Sequence, residues 1–569
     1  MIADSCDVLI VGAGPVGATA ALLLASHGLK CIVVEARKEP HSHPAPQVVS
    51  AHSMEIWRGI GLARDVETLG APLAELGCIT YCTTLTRADV GRVALDTQTS
   101  AAVLPLNILE PLLWLNLSDN PRIDFRPGWD YLSHTDFVDG VAVIITDTAT
   151  GSDDIILADY VVAADGSSSS VRRALQIGMT GPTLPHMISV HFAADLDDLL
   201  RHRQGPVVWT NTVNGPGALL VHRAPNDLEF QFPYFPPFES LEDFSAAACR
   251  DRILDAIGET NIDIDVKSVE SRATRAQVAI CYRKGRTFLA GDAAHHVPPT
   301  SGLGLNTGLA DVHNLAWKLA WVVGARAAPA LLETYELERR PAGIAAAAEA
   351  VASHDGMLEI FAALGLPVRV ARLLPRLVAA LPSWSPRRPV RAVLRGVTGL
   401  AYQRSAVAHS SGMFGRYVRR RVAAAIARQD EHYRDHTRGA AALNLLSREN
   451  LTLLLPGDDR TWLAAAEGLP LSPVVVTDSE RSVFDTGGTG NQPDALVVRP
   501  DGRIVAALRS DRDGAAALRH ALQVVASSFA VNTNSAKQSA TLPDCRCSLT
   551  GVRRWWCAGS NCDAPKRNP

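Results

Sequence analysis

No stretch of about 18 apolar residues in this chain escapes interruption by charge, which argues against a membrane-spanning helix. The most apolar segment, LAWKLAWVVGARAAPALL, is cut by Lys318 and Arg326. A charge imbalance is missing too: 55 basic side chains stand against 59 acidic ones, a net charge of -4. That removes the electrostatic footprint of a nucleic-acid binder. Aromatic residues are only 6% of the total, too few for stacking platforms along a single strand. Cysteine is absent between Cys281 and Cys545. Six cysteines are scattered over the first half, as buried thiols of a reducing compartment would be, and four crowd the final stretch. What the chain does have is length, 569 residues, with 47% hydrophobic residues. That suffices for a large core without disulfides or a structural metal, and it points to an enzyme rather than a binding module. The opening MIADSCDVLIVGAG carries two acids before its apolar run and is expected to be a first strand, not a signal peptide. A cytoplasmic protein is expected.

The first 35 residues carry the clearest local pattern. Val8 to Val11 read as a strand, Gly12 to Gly17 as a glycine turn, and Ala18 to His27 as an apolar helix stopped by Gly28. Cys31 to Val34 then form a second strand closing on Glu35, which completes a βαβ unit. A helix is expected from Ser53 to Ile60, another opening near Pro111, a strand at Ile123 to Phe125, and a longer one from Ile155 to Asp165. Between 180 and 280, PVVWTNTV and LEFQFPYFPPF alternate like antiparallel strands, with Trp209, Phe230, Phe232, Tyr234, Phe235 and Phe238 as candidate pocket walls or core. An apolar strand from Arg286 to His295 runs into Gly291-Asp292, and a strong helix with a Gly308-led start follows. Later, VVRPDGRIVAALR reads as strand, turn and strand, so a small α/β unit is expected over 430–525.

GAGPVG is GxGxxG between a strand and an apolar helix, followed by an acid ending the next strand. The first glycine makes the tight turn, the second admits a pyrophosphate, and the third lets helix and strand pack. The helix N-terminus faces the phosphates, and Glu35 can accept ribose hydroxyls, so an adenine dinucleotide is expected. Glycines are dense again in SGLGLNTG, suiting close approach of a flat, bulky ligand. Asp292 could accept a ribityl hydroxyl, and a helix beginning near Asn306 could aim its positive end at a reduced flavin. Asp165-Gly166 closes a third apolar strand, where ligands sit in such sheets, or is an ordinary turn. His295 and His296, adjacent and without a carboxylate–histidine spacing, make a poor zinc site, and no metal is expected.

With DVLIVGAGPVGATAALLLASHGLKCIVVEAR, VVAADGSSSSVRRAL, RTFLAGDAAHHVPPTSGLGLNTGLADVHNLAWKLA and ETYELERRP in order, the chain resembles the group A FAD-dependent aromatic monooxygenases. These are the p-hydroxybenzoate and phenol hydroxylase-like family. The resemblance implies an α/β fold: a Rossmann-like FAD-binding domain with an interleaved mixed-sheet substrate domain, a helical linker and a C-terminal thioredoxin-like domain. The boundaries implied are 1–380 for the FAD and substrate unit, the substrate part mainly 75–110 and 180–280. A linker at 381–429, a degenerate thioredoxin-like domain at 430–525 and an unassigned cysteine-containing tail at 530–569 complete the chain.

By the same resemblance, Gly12, Gly14, Pro15 and Gly17 would hold the FAD pyrophosphate, and Glu35 and Arg37 the adenosine end. Asp165 and Gly166 would serve both FAD and NAD(P)H, with Arg172 near that groove. Asp292 would hold the ribityl-pyrophosphate portion. Pro298 and the backbone of Gly302, Leu303, Gly304, Leu305 and Asn306 would border the isoalloxazine. The implied reaction is hydroxylation of a phenolic or polyketide-like aromatic by O2 and NADPH or NADH through a C4a-hydroperoxyflavin. Baeyer–Villiger oxidation or epoxidation by the same cofactor is an alternative, and a catalytically impaired flavin-binding scaffold is another. Tyr234 and His222 are weak candidates for handling a phenolic hydroxyl, and no catalytic residue is forced. Partners are the aromatic substrate, O2 and NAD(P)H, with no nucleic acid and no membrane, and a homodimer is open. Two positions depart from the family pattern. His52 stands where an FAD-contacting arginine is expected, and Leu106 where a glutamine is expected, so FAD binding is expected to be weaker or shifted.

Overall fold

The computed structural model describes residues 4–44, 46–72, 78–86, 89–94, 102–184, 186–200, 207–212, 215–223, 227–234, 236, 239–299, 302–363, 451–455, 460–466, 471–475, 494–501, 504–508 and 518. The linker expected at 381–429, the tail at 530–569, Phe235, Phe238 and the side chain of His222 lie outside these.

Strand β1 (Asp4–Val11) forms because Val8, Leu9 and Ile10 find complete burial. Helix α1 (Pro15–Ser26) starts with Pro15 in its first turn, where the missing N–H costs nothing, and is buried from Gly17 to Ala25. β2 (Cys31–Glu35) runs parallel to β1, pairing Val11 with Val34. The chain then makes β3 (Pro46–Val49) and α2 (Ala51–Gly59), whose start is capped by Ser50 accepting the Ser53 N–H. α3 (Leu106–Ser118) follows, and the strand Ile123–Pro127 joins the far side of β2. An antiparallel meander leads into β4 (Asp153–Ala163), which returns to the other side of β1 and pairs Ala163 with Val11. Three chain segments far apart in sequence therefore end side by side.

A second, seven-stranded sheet takes strands at Cys78–Cys82 and Asp89–Ala94 and four more from the stretch expected to alternate. These are β5 (His186–Ala193), β6 (Val207–Thr212), β7 (Gly215–Arg223) and β8 (Asp227–Tyr234); β9 (Asp265–Arg272), which lies beyond helix α4 (Ala246–Ile257), completes it. Its faces differ sharply. Ile188, Val190, Phe192, Leu228, Phe230, Phe232 and Tyr234 pack with Cys249, Ile253 and Ile257 of α4 as one apolar cluster. The opposite face carries Ser189, Glu229 and Gln231, polar but still buried.

The strand expected from Arg286 to His295 is shorter: β10 (Thr287–Leu289) pairs with β4, and Gly291–Ala293 is a tight 3-10 turn. The helix expected to begin at Gly308 begins five residues earlier, as α5 (Leu303–Val323). Gly302 supplies the start by taking a left-handed conformation, φ +64°, that other residues avoid. Gly308 instead lies inside the helix, where a Cβ would sit 2.6 Å from Val16 Cγ2 and 3.1 Å from the Gly291 Cα. It is a contact point, not a terminus. Helix α6 (Glu333–Ala363) packs against α5.

The late strands β11 (Leu451–Leu455), β12 (Leu471–Val475), β13 (Ala495–Val498) and β14 (Ile504–Leu508) form a mixed sheet ordered β12-β11-β13-β14, so the expected strand–turn–strand is present. Arg499, just after β13, donates to both oxygens of Glu338 on α6, at 2.6 and 2.8 Å. Asn314 on α5 donates to Asp501 at 2.9 Å. These contacts border a polar chamber of about 290 Å³ that His52 and His313 also line. Lys318, which interrupts the apolar run in sequence, is fully buried and bonds Asn314 and Glu338 at 2.8 and 3.1 Å. Burial pushes its pKa down to about 8, with Glu338 opposing.

Among the described residues no helix is long and apolar enough to cross a membrane. Cys6, Cys31, Cys82, Cys249 and Cys281 are free thiols, and burial pushes Cys6 up to about 12 and Cys249 to about 11. Such thiols are poor nucleophiles and serve as packing.

Two measurements test this packing. Gly308→Val is expected to destabilise the fold by about 1–3 kcal/mol through overpacking, read by urea unfolding. His313 has its pKa pushed down by burial from 6.5 to about 4, so it is neutral when folded and charges on unfolding at mildly acid pH. Its contribution is intact above the unfolded value and is lost as pH falls from 6.5 toward about 4. The melting temperature is expected to fall across that window, and less steeply in His313→Gln.

Candidate functional site

The three glycines of the first turn do different work. A Cβ on Gly12, at φ +98°, would lie 2.5 Å from the Ala164 carbonyl oxygen, and one on Gly17 would lie 1.9 Å from the Gly12 oxygen. Both hold β1, β4 and α1 at contact distance. A Cβ on Gly14 would meet only Glu110 Oε1, at 4.0 Å. Gly14 is therefore the position left open to an incoming group, at the N-terminus of α1, where no side chain caps the helix. Unpaired N–H groups and the positive end of the helix suit a phosphate there.

At the end of β2, Glu35 is buried and accepts from the Ala13 N–H at 2.8 Å and from Arg37 N and Nε at 3.0 and 2.9 Å. Burial would raise its pKa, but these donors outweigh burial and hold the carboxyl below its usual range. Arg37 also reaches Glu110 Oε2 at 2.8 Å, and the His41 N–H donates to the same oxygen at 2.8 Å. Trp114 donates to the Ala13 carbonyl at 2.9 Å and lies under the Arg37 guanidinium. The end of β2 is thus a braced acid–base cluster, to which Glu110 contributes as much as Glu35.

Asp165 follows β4. One of its oxygens accepts the Val171 N–H at 3.1 Å, and Oδ1 is buried with no protein partner. Burial raises its pKa. Gly166 turns the chain at φ +77°. Arg172 is spent on backbone, donating to the Ala293 and Ser167 carbonyls at 2.9 Å each, and so ties this segment to the Gly291 turn. Asp292 sits on that turn with its side chain exposed although protein surrounds it, and desolvation raises its pKa.

Beneath the turn lies a buried set that composition alone does not single out. Gly291, at φ +60°, donates its N–H to Asp311 Oδ2 at 3.2 Å. His295 Nε2 bonds the same oxygen at 2.6 Å, and Arg339 Nε donates to Oδ1 at 2.8 Å. Burial would raise the Asp311 pKa, but His295 and Arg339 outweigh it and keep the carboxyl low. The two adjacent histidines part company, since His296 Nε2 bonds the Ser167 carbonyl at 3.1 Å. Burial, with Arg172 adding to it, pushes His296 down to about 4.

The Gly302 to Asn306 segment is the first turn of α5, with Leu303 and Gly304 half-buried beside Leu305. The Asn306 side chain is fully engaged. Its oxygen accepts from the Ser50 N–H at 2.9 Å and the Ser53 hydroxyl at 2.7 Å, and its amide donates to Val48 and Gly302 at 2.8 and 2.7 Å. Its amide is therefore not left to meet a ligand. Pro298 is buried behind that turn. His52 faces His313, ring centroids 6.2 Å apart, on the polar chamber. Leu106 donates its N–H to the Pro44 carbonyl at 2.7 Å, so its backbone anchors the loop before β3. Tyr234 is a correction to the sequence reading: it lies in the apolar cluster against α4, beside Phe244 at 6.0 Å, on the face away from the buried polar residues. Phe230 and Phe232 lie in that cluster too, whereas Trp209 pairs in register with Ala218 and, through it, shares the face of Gln231.

The open Gly14 position, the uncapped α1 terminus, the unpartnered Asp165 oxygen and the exposed Asp292 fit a long ligand with phosphates and hydroxyls. An adenine–flavin dinucleotide meets that description. Asp292→Asn is expected to weaken such a ligand's binding about tenfold, by loss of a charge-assisted acceptor. A raised carboxyl pKa makes the ligand-free protein lose stability as pH rises through it. The same variant should therefore raise the melting temperature of the ligand-free protein at neutral pH, and flavin titration and calorimetry check the two halves.

The family described as "FAD binding domain" matches residues 5–350. A putative polyketide hydroxylase of Streptomyces coelicolor is 36% identical over 361 residues, covering 61% of this chain and 57% of that protein. The chain thus spans less than two thirds of that relative. A tetracenomycin B2 monooxygenase-dioxygenase of Streptomyces olivaceus is 31% identical over 545 residues, 89% of this chain and 95% of that one. Among solved structures, the flavin-dependent monooxygenase PieE in complex with FAD and substrate superposes with a TM-score of 0.77 at 24% identity. It covers 92% of this chain and 99% of that chain, a likeness of fold.

Proposed function

The chain belongs to the FAD-binding-domain family, and from that membership we propose that it is an FAD-dependent monooxygenase that hydroxylates a phenolic or polyketide-like aromatic with O2 and NAD(P)H. One observation supports this most: the α1 terminus, the Asp165 segment and the Asp292 turn converge, with Val16 of α1 lying against Gly291, the Ala164 and Asp165 backbone against Gly12, and Arg172 tied to the Ala293 carbonyl. Gly12, Gly14, Pro15 and Gly17 would receive the FAD pyrophosphate, and Glu35 and Arg37 the adenosine ribose. Asp292 would take a ribityl hydroxyl, and Pro298 with the backbone of 302–306 would border the ring. Bound FAD supplies hydride acceptance and oxygen activation.

What the chain itself contributes is placement. The positive end at the start of α5 would favour negative charge on a ring bound beside it. Asp165, Gly166 and the segment held by Arg172 would border the reductant, with no second dinucleotide fold required. The seven-stranded sheet would exclude water from the reacting face. The printed activities of the relatives, a polyketide hydroxylase and a tetracenomycin oxygenase, support a polycyclic phenol as substrate. We further read the late mixed sheet as a degenerate thioredoxin-like domain and the protein as cytoplasmic, the latter on its free buried thiols. A homodimer fits the same reading.

Purified protein is expected to carry FAD or to take it up on reconstitution, seen as flavin absorbance. Hydroxyanthraquinones or simple phenols should then stimulate NAD(P)H oxidation and gain one oxygen atom, read by product mass. Absence of flavin uptake would reject the proposal.

A further inference from the structure

A buried sheet face is ordinarily apolar, because polar groups removed from water cost free energy unless each is paired. The face of the seven-stranded sheet turned from α4 breaks that rule. Glu229 has no exposure, and its Oε1 accepts both the Ser189 hydroxyl and, at 2.6 Å, the Gln231 amide. Ser189 Oγ lies 3.5 Å from His43 Nε2, on the loop leading from β2 to β3 of the flavin domain. The other ring nitrogen of His43, Nδ1, lies 3.1 Å from Arg272 Nη2. A guanidinium cannot accept a hydrogen bond, so Nδ1 holds the lone pair and Nε2 carries the proton. A directed chain results, with Nε2–H pointing to Ser189 and the Ser189 O–H pointing to Glu229. Its Glu229 end is sealed, and its Arg272 end is partly open, with about a third of that side chain exposed.

We propose that this chain receives the proton of the substrate's ring hydroxyl, with His43 as the group that touches it and Ser189 and Glu229 as positioning residues behind. This deepens the monooxygenase reading and rests on it. The hydroxyl takes the place of Arg272 at Nδ1. Its proton passes to Nδ1, the Nε2 proton to Ser189 Oγ, and the Ser189 proton to Glu229. The products are a ring oxyanion, a His43 neutral with its tautomer exchanged, and a protonated Glu229, so charge and protons balance. The displaced guanidinium remains beside the oxyanion. An ionised hydroxyl makes the ring electron-rich, which is what attack on activated oxygen requires.

Several charged groups face His43: Glu229, Arg272, Glu270 and His191, the last held by Asp227 at 2.7 Å. Burial lowers its pKa, Arg272 and His191 add to that, and Glu229 and Glu270 oppose it. A neutral imidazole is the state able to relay.

The test uses FAD-loaded protein and 1,8-dihydroxyanthraquinone, a phenol whose visible spectrum shifts when it ionises. Bound to the wild type, the dye is expected to ionise at a pH at least about one unit below that of the free dye, roughly a tenfold preference for the anion. Glu229→Gln and, independently, Ser189→Ala should each abolish that shift while flavin content stays unchanged. Retention of the shift in both variants overturns the proposal, and so does a wild type that binds no dye or binds it un-ionised. The monooxygenase reading fails separately, if flavin uptake and its reduction by NAD(P)H are absent without dye.

Discussion

A single carboxylate with no exposure, Asp311, ties the Gly291 turn, α5 and α6 together. Asp311 is buried among three donors from two segments: the Gly291 N–H and His295 from the turn after β10 and just beyond it, and Arg339 from α6. Taking an unpaired carboxylate out of water costs several kcal/mol, so each of these partners is bound to its place by the penalty of leaving. The left-handed Gly291 turn, the register of α5 against α6 and the direction of Asp292 are fixed in one event. Gly308 allows this by bringing α5 close enough for Asp311, one turn further on, to reach the turn.

α6 has a second office. Glu338 and Arg339 are neighbours in sequence but serve opposite ends, Arg339 bonding Asp311 and Glu338 bonding Arg499, Lys318 and Asn314. Burial would raise the Glu338 pKa, but Arg499 and Lys318 hold it well below the carboxylate range. Lys318 in turn is tolerated without any exposure only because Glu338 and Asn314 meet it. The segment carrying Arg499 and the Gly291 turn are thereby joined through two adjacent residues of one helix.

Much of this was legible in the sequence, and the reasons are local. GAGPVG between an apolar strand and an apolar helix dictates its own turn, because each glycine answers a steric demand within a few residues. The alternation of LEFQFPY shows two faces, and its register follows from the pleat. Which face is the interior could not be read, since Phe230 and Tyr234 fit a pocket wall or a core equally well by pattern until α4 is seen covering them. The start of α5 was misplaced because Gly308 looks like a boundary, whereas its role is a contact with Val16, almost three hundred residues away. His43, Ser189 and Glu229 carry no motif at all. Their meaning comes from three segments converging, which no spacing along the chain encodes.

The order of the strands in the first sheet has a bearing on how the protein is made. β1 emerges at the start of synthesis but lies between β2 and β4, and β10, next to β4, is complete only at residue 289. The first glycine turn must therefore wait on the ribosome for the segment that faces it. At roughly 10 residues per second, β4 reaches β1 after about a quarter of a minute, and the apolar helix α1 waits about half a minute for α5 to pack on it. Cofactor capture is then a late event in the life of the nascent chain. The first βαβ unit, the part most recognisable in sequence, depends longest on what has yet to be translated.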